Sequence, residues 1–404
     1  MVTITEALEI IYSSVTPKST HIVPIENAVG SIVAKSYRAS FDLPRFDNSA
    51  MDGYAVKLAD AGQSVRIKEI TYAGDQQEEG FGKGEAIKIM TGAPTPIGCE
   101  AIVPIEDVTI DGNTITLPQD IKPNAMIRYK GEDIKSGETF LEANKKVTAY
   151  SLALLASQGI SHIKVYRKPK VVIFSTGEEL KAHYEKIEAH QLYNSNAPMF
   201  YARALELGCD VSSLSSSGDT IEELKEAIQN ASDADLIITS GGISVGDRDF
   251  TIQAFEELGM KSLFTRINIK PGKPTTFGKL PSGYVINLPG NPLAAMVNFE
   301  MFVKPIIKKL SGTDSFYQAT IDTKMKNEFK FKRGKYAVIL GRWDGNSFEP
   351  LTNQKPGMVS PLNKADGMIV TTPKINYLQK DQAVKMIPIK CNLESSIQED
   401  FLIV

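Results

Sequence analysis

Residues 235–250 read DLIITSGGISVGDRDF, an apolar run that breaks at a serine and two glycines before small and acidic residues lead into Phe250. Leu236-Ile237-Ile238-Thr239 has the length and the continuous apolar character of a buried parallel strand. The same unit stands on either side of it. Val171-Val172-Ile173-Phe174 runs into Ser175-Thr176-Gly177-Glu178-Glu179, and Tyr284 to Leu288 runs into Pro289-Gly290-Asn291-Pro292, with a helix beginning near Leu293. Helical patterns lie between: one over about Pro198 to Leu207, stopped by Gly208, and one capped by Thr220 with Glu223. The alternation predicts a doubly wound, mostly parallel α/β domain over 169–311, with helices on both faces.

Upstream, Thr3-Ile4-Thr5-Glu6 forms a capping box, with Ala7, Leu8 and Ile11 on one helical face. From Phe41 onward the pattern turns to short β-prone runs such as Val65-Arg66-Ile67 and Ala86 to Ile89, with Asp111-Gly112-Asn113 as a hairpin turn. Thr148 caps a helix that Gly159 ends, and Arg167-Lys168-Pro169-Lys170 marks a boundary. After Ser311 the helical period disappears. Tyr336 to Leu340, the Asp344-Gly345 turn and Met368-Ile369-Val370 predict a β-barrel-like domain. The expected organisation is a discontinuous N-terminal linker domain (1–40 and 131–168), a β-rich inserted domain (41–130), the α/β domain (169–311) and a C-terminal β domain (312–404).

With 404 residues the chain exceeds any single small module, and 42% hydrophobic residues suffice for several cores. A formal net charge of -3 without long charged blocks argues against nucleic acid as a partner. Three scattered cysteines, Cys99, Cys209 and Cys391, offer neither a disulfide framework nor a metal clip. No apolar stretch approaches a membrane span, and the opening residues carry no signal-peptide pattern, so a cytoplasmic protein without membrane contact is expected.

Ligands of open α/β sheets bind at the carboxyl ends of the strands, where glycines let backbone N–H groups approach an anion. The three loops after the strands are therefore candidates for a phosphate-bearing ligand, with Gly241, Gly242, Ser244, Pro289 and Pro292 as contacts. None fits GxxxxGK[ST] or GxGxxG, which disfavours a Walker ATPase and a plain dinucleotide dehydrogenase. Glu178, Glu179, Asp219, Asp247 and Asp249 gather at the same predicted edge. Magnesium prefers one or two carboxylates plus phosphate oxygens; helix capping is the alternative use of these acids. Arg266, Lys270 and Lys273 surround a turn stiffened by Pro271 and Pro274, suited to neutralising an oxyanion. The four histidines form no HExxH and no GxSxG elbow occurs, so zinc hydrolysis and triad catalysis lack their signatures.

The segments PRFDNSAMDGYAV (44–56), TGAPTP (91–96), GED (131–133), STGEEL (175–180), DLIITSGGISVGDRDF (235–250), KPGKP (270–274) and LPGNP (288–292) stand in the order found in molybdopterin molybdenumtransferases. The chain resembles this family, of the MoeA type and related to the C-terminal part of gephyrin, over nearly its whole length. The resemblance implies an enzyme that inserts molybdate into adenylylated molybdopterin with release of AMP, magnesium being present. It implies a homodimer of four-domain subunits whose site lies between the α/β domain of one and the insertion of the other. By motif position, Asp52, Thr91 and Asp133 belong to the insertion side and Glu179, Asp219 and Asp249 to the α/β side, the last three as metal candidates. Arg266, Lys270, Lys273 and Arg333 would meet phosphate or molybdate. A molybdopterin adenylyltransferase and the recipient molybdoenzymes are implied as transient partners. Competing readings are the adenylyltransferase itself, which leaves the first 165 residues idle, and a non-catalytic scaffold like gephyrin. One departure is present: Lys355-Pro356-Gly357 stands where the family carries a Gly-Ser-Gly turn, removing a hydroxyl near the oxyanion.

Overall fold

The computed structural model describes residues 1–77, 79–177, 179–214, 220–241 and 250–390. Its central sheet has the order Asp210–Ser213, Lys170–Ser175, Leu236–Ser240, Tyr284–Leu288, Thr276–Lys279, Lys261–Phe264. The first four strands are parallel. The last two run antiparallel, because a tight turn closed by the Leu280 N–H on the Gly283 carbonyl reverses the chain where a crossover helix would otherwise be needed.

Strand periodicity sends alternate side chains to opposite faces. Val171, Ile173, Leu236, Ile238 and Ile286 join one core with Phe200 and Ala204 of helix Asn196–Glu206. Val172, Phe174, Ile237 and Val285 join another with Leu224 and Ile228 of helix Ile221–Asn230 and with Phe255. The sheet is thus covered on both faces, and each fully buried phenylalanine contributes on the order of 2–3 kcal/mol.

Thr3 and Glu6 make the reciprocal capping contacts of helix Ile4–Ser14. Ile4, Ala7 and Ile11 of this helix, although they fall within segment 1–40, are buried in the α/β core against helix Lys304–Leu310. Strand Thr20–Pro24 instead pairs with His162–Tyr166, and Tyr37–Arg38 with Thr139–Leu141, around a separate core of Val33, Tyr37, Leu141, Leu155 and Val165. Residues 53–116 supply a six-stranded sheet whose edge hairpin, Thr109–Asp111 with Thr114–Thr116, turns at Gly112.

In the C-terminal region Tyr336–Trp343, Ser347–Pro350, Ile321–Met325, Ala383–Pro388 and Gly367–Thr371 close a five-stranded barrel, since the last strand pairs back to the first. A helix, Ser360–Lys364, interrupts a stretch whose sequence shows no helical period; five residues are too few to display one. The strand Ile269–Lys270 pairs in parallel with Tyr336 and Ala337, which ties the basic turn of the α/β unit to the barrel. Among the described residues no helix is long and apolar enough to cross a membrane.

Candidate active site

A cavity of about 630 Å³ opens at the carboxyl ends of the parallel strands, lined among others by Thr176, Glu179, Asn196, Gly241, Gly290 and Asn291. Its floor is held by Asn196, a buried amide whose Nδ2 donates to Ser240 Oγ at 2.7 Å and to the Gly290 carbonyl at 2.8 Å. One side chain so joins the loops after two strands to the head of a helix. Gly241 has φ +98°, and a Cβ there would lie 2.7 Å from the Thr176 carbonyl oxygen. Only glycine permits that approach.

Ser175 Oγ, Thr176 Oγ1, Asn196 Oδ1, Thr239 Oγ1 and both amide atoms of Asn287 are buried without a hydrogen-bond partner among the described residues. Each such group costs about 1–3 kcal/mol when unpaired. Their concentration at one sheet edge suits a site completed by a polar ligand.

A second cavity, about 470 Å³, adjoins the first and shares Pro274, Pro289 and Asn291 with it. Lys270, Lys273, Lys332, Arg333 and Lys335 line it, with Pro356 on its wall. The turn carrying the two lysines is immobilised at Gly272, where φ is +106° and a Cβ would lie 1.7 Å from Asn298 Nδ2. Asn298 is itself fixed, donating to the Ala294 carbonyl and accepting from Thr275 Oγ1. The Pro356 carbonyl accepts the Leu293 and Ala294 N–H groups, so the turn that departs from the family pattern holds the start of helix Pro292–Asn298.

Among the insertion-side residues, Asp52 and Thr91 meet: Asp52 Oδ1 accepts from the Thr91 N–H at 2.7 Å and from its hydroxyl at 2.8 Å. These two bonds hold the Asp52 carboxyl below the usual carboxylate range. The 44–56, 91–96 and 131–133 segments converge through backbone bonds, Gly92 N–H to the Ser49 carbonyl and Gly131 N–H to the Pro44 carbonyl. Asp52, Thr91 and Asp133 are all exposed, and no described residue of 41–130 lines either cavity.

The family profile described as "MoeA N-terminal region (domain I and II)" matches residues 2–159, and the profile described as "Probable molybdopterin binding domain" matches 172–309. The molybdopterin molybdenumtransferase of Haemophilus influenzae is 39% identical over 334 residues, covering 80% of this chain and 82% of its own length. The chain belongs to the molybdopterin molybdenumtransferase family. It is a transferase of molybdenum cofactor biosynthesis. The Staphylococcus epidermidis molybdopterin molybdenumtransferase is 30% identical, covering 94% of this chain and 93% of its own. The crystal structure of the molybdopterin biosynthesis protein MoeA from Pyrococcus horikoshii superposes with a TM-score of 0.83 at 28% identity, covering 97% of this chain and all of that one (100%).

Of the residues singled out by sequence, Glu179, Gly241, Pro289 and Pro292 line the larger cavity, and Lys270, Lys273 and Arg333 line the smaller. Arg266 lines neither; its carbonyl accepts the Val2 N–H. Glu178, Asp219, Gly242, Ser244, Asp247 and Asp249 lie outside the described residues. Among the described residues no group of three or more His, Cys, Asp or Glu side chains is placed to hold a metal. Glu179 is the carboxylate among the described lining residues, and one carboxylate plus a ligand's phosphate oxygens matches how magnesium binds. Sequence reasoning missed Asn196, Lys332 and Lys335. The run Asn194-Ser195-Asn196-Ala197-Pro198 carried a signal, because amide residues just before a proline mark a helix start at a strand-edge crevice.

Proposed function

We propose that the chain inserts molybdate into adenylylated molybdopterin with release of AMP, as a homodimer using magnesium. The observation that carries this reading is the junction of two cavities with different linings: one that mixes small, hydroxyl, amide and apolar residues and has no cation among its described lining residues, the other with five cations. The first suits an adenylylated pterin, whose phosphate oxygens can accept from the Thr176 hydroxyl, a lining group without a partner among the described residues. The second suits the compact molybdate dianion, which Lys270, Lys273 and Arg333 neutralise and hold beside the pterin. Anion and pterin are thereby positioned together before any bond changes, so little orientational freedom remains to be lost in the reaction.

Glu179, with Asp219 and Asp249, would hold magnesium; the bound ion offsets negative charge on the phosphate oxygens. The exposed Asp52, kept ionised by Thr91 and lining neither cavity of its own chain, supports a site completed by the insertion of a second copy, with Asp133 on the same side. Arg266, outside both cavities, has a supporting place at most. Transient contact with a molybdopterin adenylyltransferase and with recipient molybdoenzymes belongs to the same reading. Incubating the protein with adenylylated molybdopterin and molybdate tests it. AMP should appear only when both are present; AMP release without molybdate incorporation would sink the proposal.

A further inference from the structure

A third cavity, about 500 Å³, lies far from the motif loops, where the discontinuous unit meets the α/β unit. Residues 29–32 and 145–146 form one wall, 166–169 the floor, and 206–208 with 308–315 the other wall. Lys145, Lys146, Arg167, Lys168 and Lys308 line it, against one carboxylate, Glu206. Glu206 already pairs with Arg203 at 2.6 Å, and Lys145 with Asp314 at 2.6 Å. Among the described residues no carboxylate lies within 4.0 Å of Lys146, Arg167, Lys168 or Lys308. A solvated surface spreads such charges over convex ground or interleaves them with acids. Here four unpaired cations share one concavity, where their fields add.

The walls are rigid. Asn144 Nδ2 donates to the Gly312 carbonyl at 2.6 Å, and the Tyr166 ring lies so close to Gly312 that a Cβ there would meet Tyr166 Cδ2 at 2.5 Å. The Arg167 N–H is held by the Ser19 carbonyl. Lys308 is half-buried and donates to the Ser315 carbonyl at 3.0 Å. Burial, with Lys304 nearby, pushes its ammonium below the usual lysine range despite Glu300, as expected of a cation short of counter-charge. Ser31, Ser311 and Thr313 add hydroxyls to the lining.

We propose that this cavity binds a small phosphate-bearing metabolite, its phosphate oxygens held by Lys146, Arg167, Lys168 and Lys308. The size admits a di- or triphosphate with a small organic group. A lone surface phosphate would need fewer charges. Because the walls belong to two separately cored units, an occupant ties their orientation together. The cavity shares no lining residue with the two cavities of the candidate active site.

Inorganic pyrophosphate is the probe, titrated calorimetrically into the full-length protein. The variant Lys270→Gln/Lys273→Gln/Lys332→Gln/Arg333→Gln/Lys335→Gln removes all five cations of the smaller active-site cavity, so remaining binding reports the third cavity. That binding should persist there and weaken at least about tenfold when Lys146→Gln/Arg167→Gln/Lys168→Gln is added, with circular dichroism unchanged. The same three third-cavity substitutions in the otherwise natural chain should leave AMP release within about threefold, since none of them touches the active-site cavities. Pyrophosphate binding that vanishes with the active-site substitutions alone, or that survives the third-cavity substitutions, would overturn the proposal. So would third-cavity variants that retain binding but become monomeric in sizing, since the cations would then serve contact with a second copy. If the third-cavity triple variant misfolds, Lys168→Gln alone should still weaken binding about threefold.

Discussion

The insertion and the α/β unit present their motif residues in opposite ways. In the α/β unit Glu179, Lys270, Lys273 and the Arg333 that follows it line concave surfaces that a small molecule can fill. In the insertion Asp52 and Thr91 are just as firmly built, hydrogen-bonded to each other across 39 residues of sequence, yet they are exposed and line neither cavity. The proposed homodimer accounts for the contrast, since a second copy would bring its own insertion to the cavities of the first.

The largest effect expected from this comparison is on turnover. Asp52→Ala and Asp249→Ala should each lower AMP release by on the order of 10²-fold or more. Co-expressed together they should regain on the order of a quarter of normal turnover, because half the random pairs are heterodimers with one intact site each. Inactive mixtures in which mass spectrometry finds heterodimers would break the comparison.

Arg333→Ala acts within one chain. It should raise the molybdate concentration needed for half-maximal rate about tenfold, for the loss of a charged hydrogen-bond donor, and alter binding of the adenylylated pterin much less. An equal effect on both ligands would mean that the two cavities do not divide the work.

Gly272→Ala sharpens the same boundary through stability. The left-handed backbone and the approach to Asn298 Nδ2 should make it cost about 1–3 kcal/mol, read as a lower midpoint in urea unfolding. A neutral result would mean that the basic turn is not clamped.

Thr91→Val removes one of the two donors to Asp52. The carboxyl titration, followed by carbon NMR, should move up toward the usual range. A depressed folded-state value makes the ionised form a source of stability that is present above the unfolded value and lost as pH falls through the folded one. The variant should therefore lose that contribution at higher pH than the natural chain. An unmoved titration would assign the depression to the Thr91 N–H alone. Smaller still is Pro356→Ser: it adds a hydroxyl on the wall of the cation cavity and keeps the carbonyl that holds Leu293 and Ala294, so the molybdate requirement should fall by less than about tenfold.

Much of the fold could be read from short stretches because their causes are local. The Thr3–Glu6 and Thr220–Glu223 capping boxes are set by spacing within one turn, and both form. The runs 171–174, 236–238 and 284–286 are apolar without alternation, as suits a strand covered on both faces, and each lies in one. The direction of Thr276–Lys279 was less visible, since a strand's composition does not state which neighbour it will pair with. The segment Phe299–Val303 widens into a π-helix that buries Glu300 against Arg203, almost a hundred residues earlier, and no local pattern encodes that pair.

The sequence by itself determined the family, the order of units and the residue types able to handle an anion, because ordered motifs and local periodicity need no knowledge of distant partners. Tertiary structure alone decided which of those residues share a surface. It set Lys332 and Lys335 in one cavity with Lys270, left Arg266 outside, made Asn196 the tie between two strand ends, and left Asp52 exposed and outside both cavity linings. The physical reason is that such placements follow from long-range packing: the parallel pairing of Ile269–Lys270 with the barrel brings residues 270 and 333 to one cavity, and a pairing across more than sixty residues leaves no trace in either segment's own pattern.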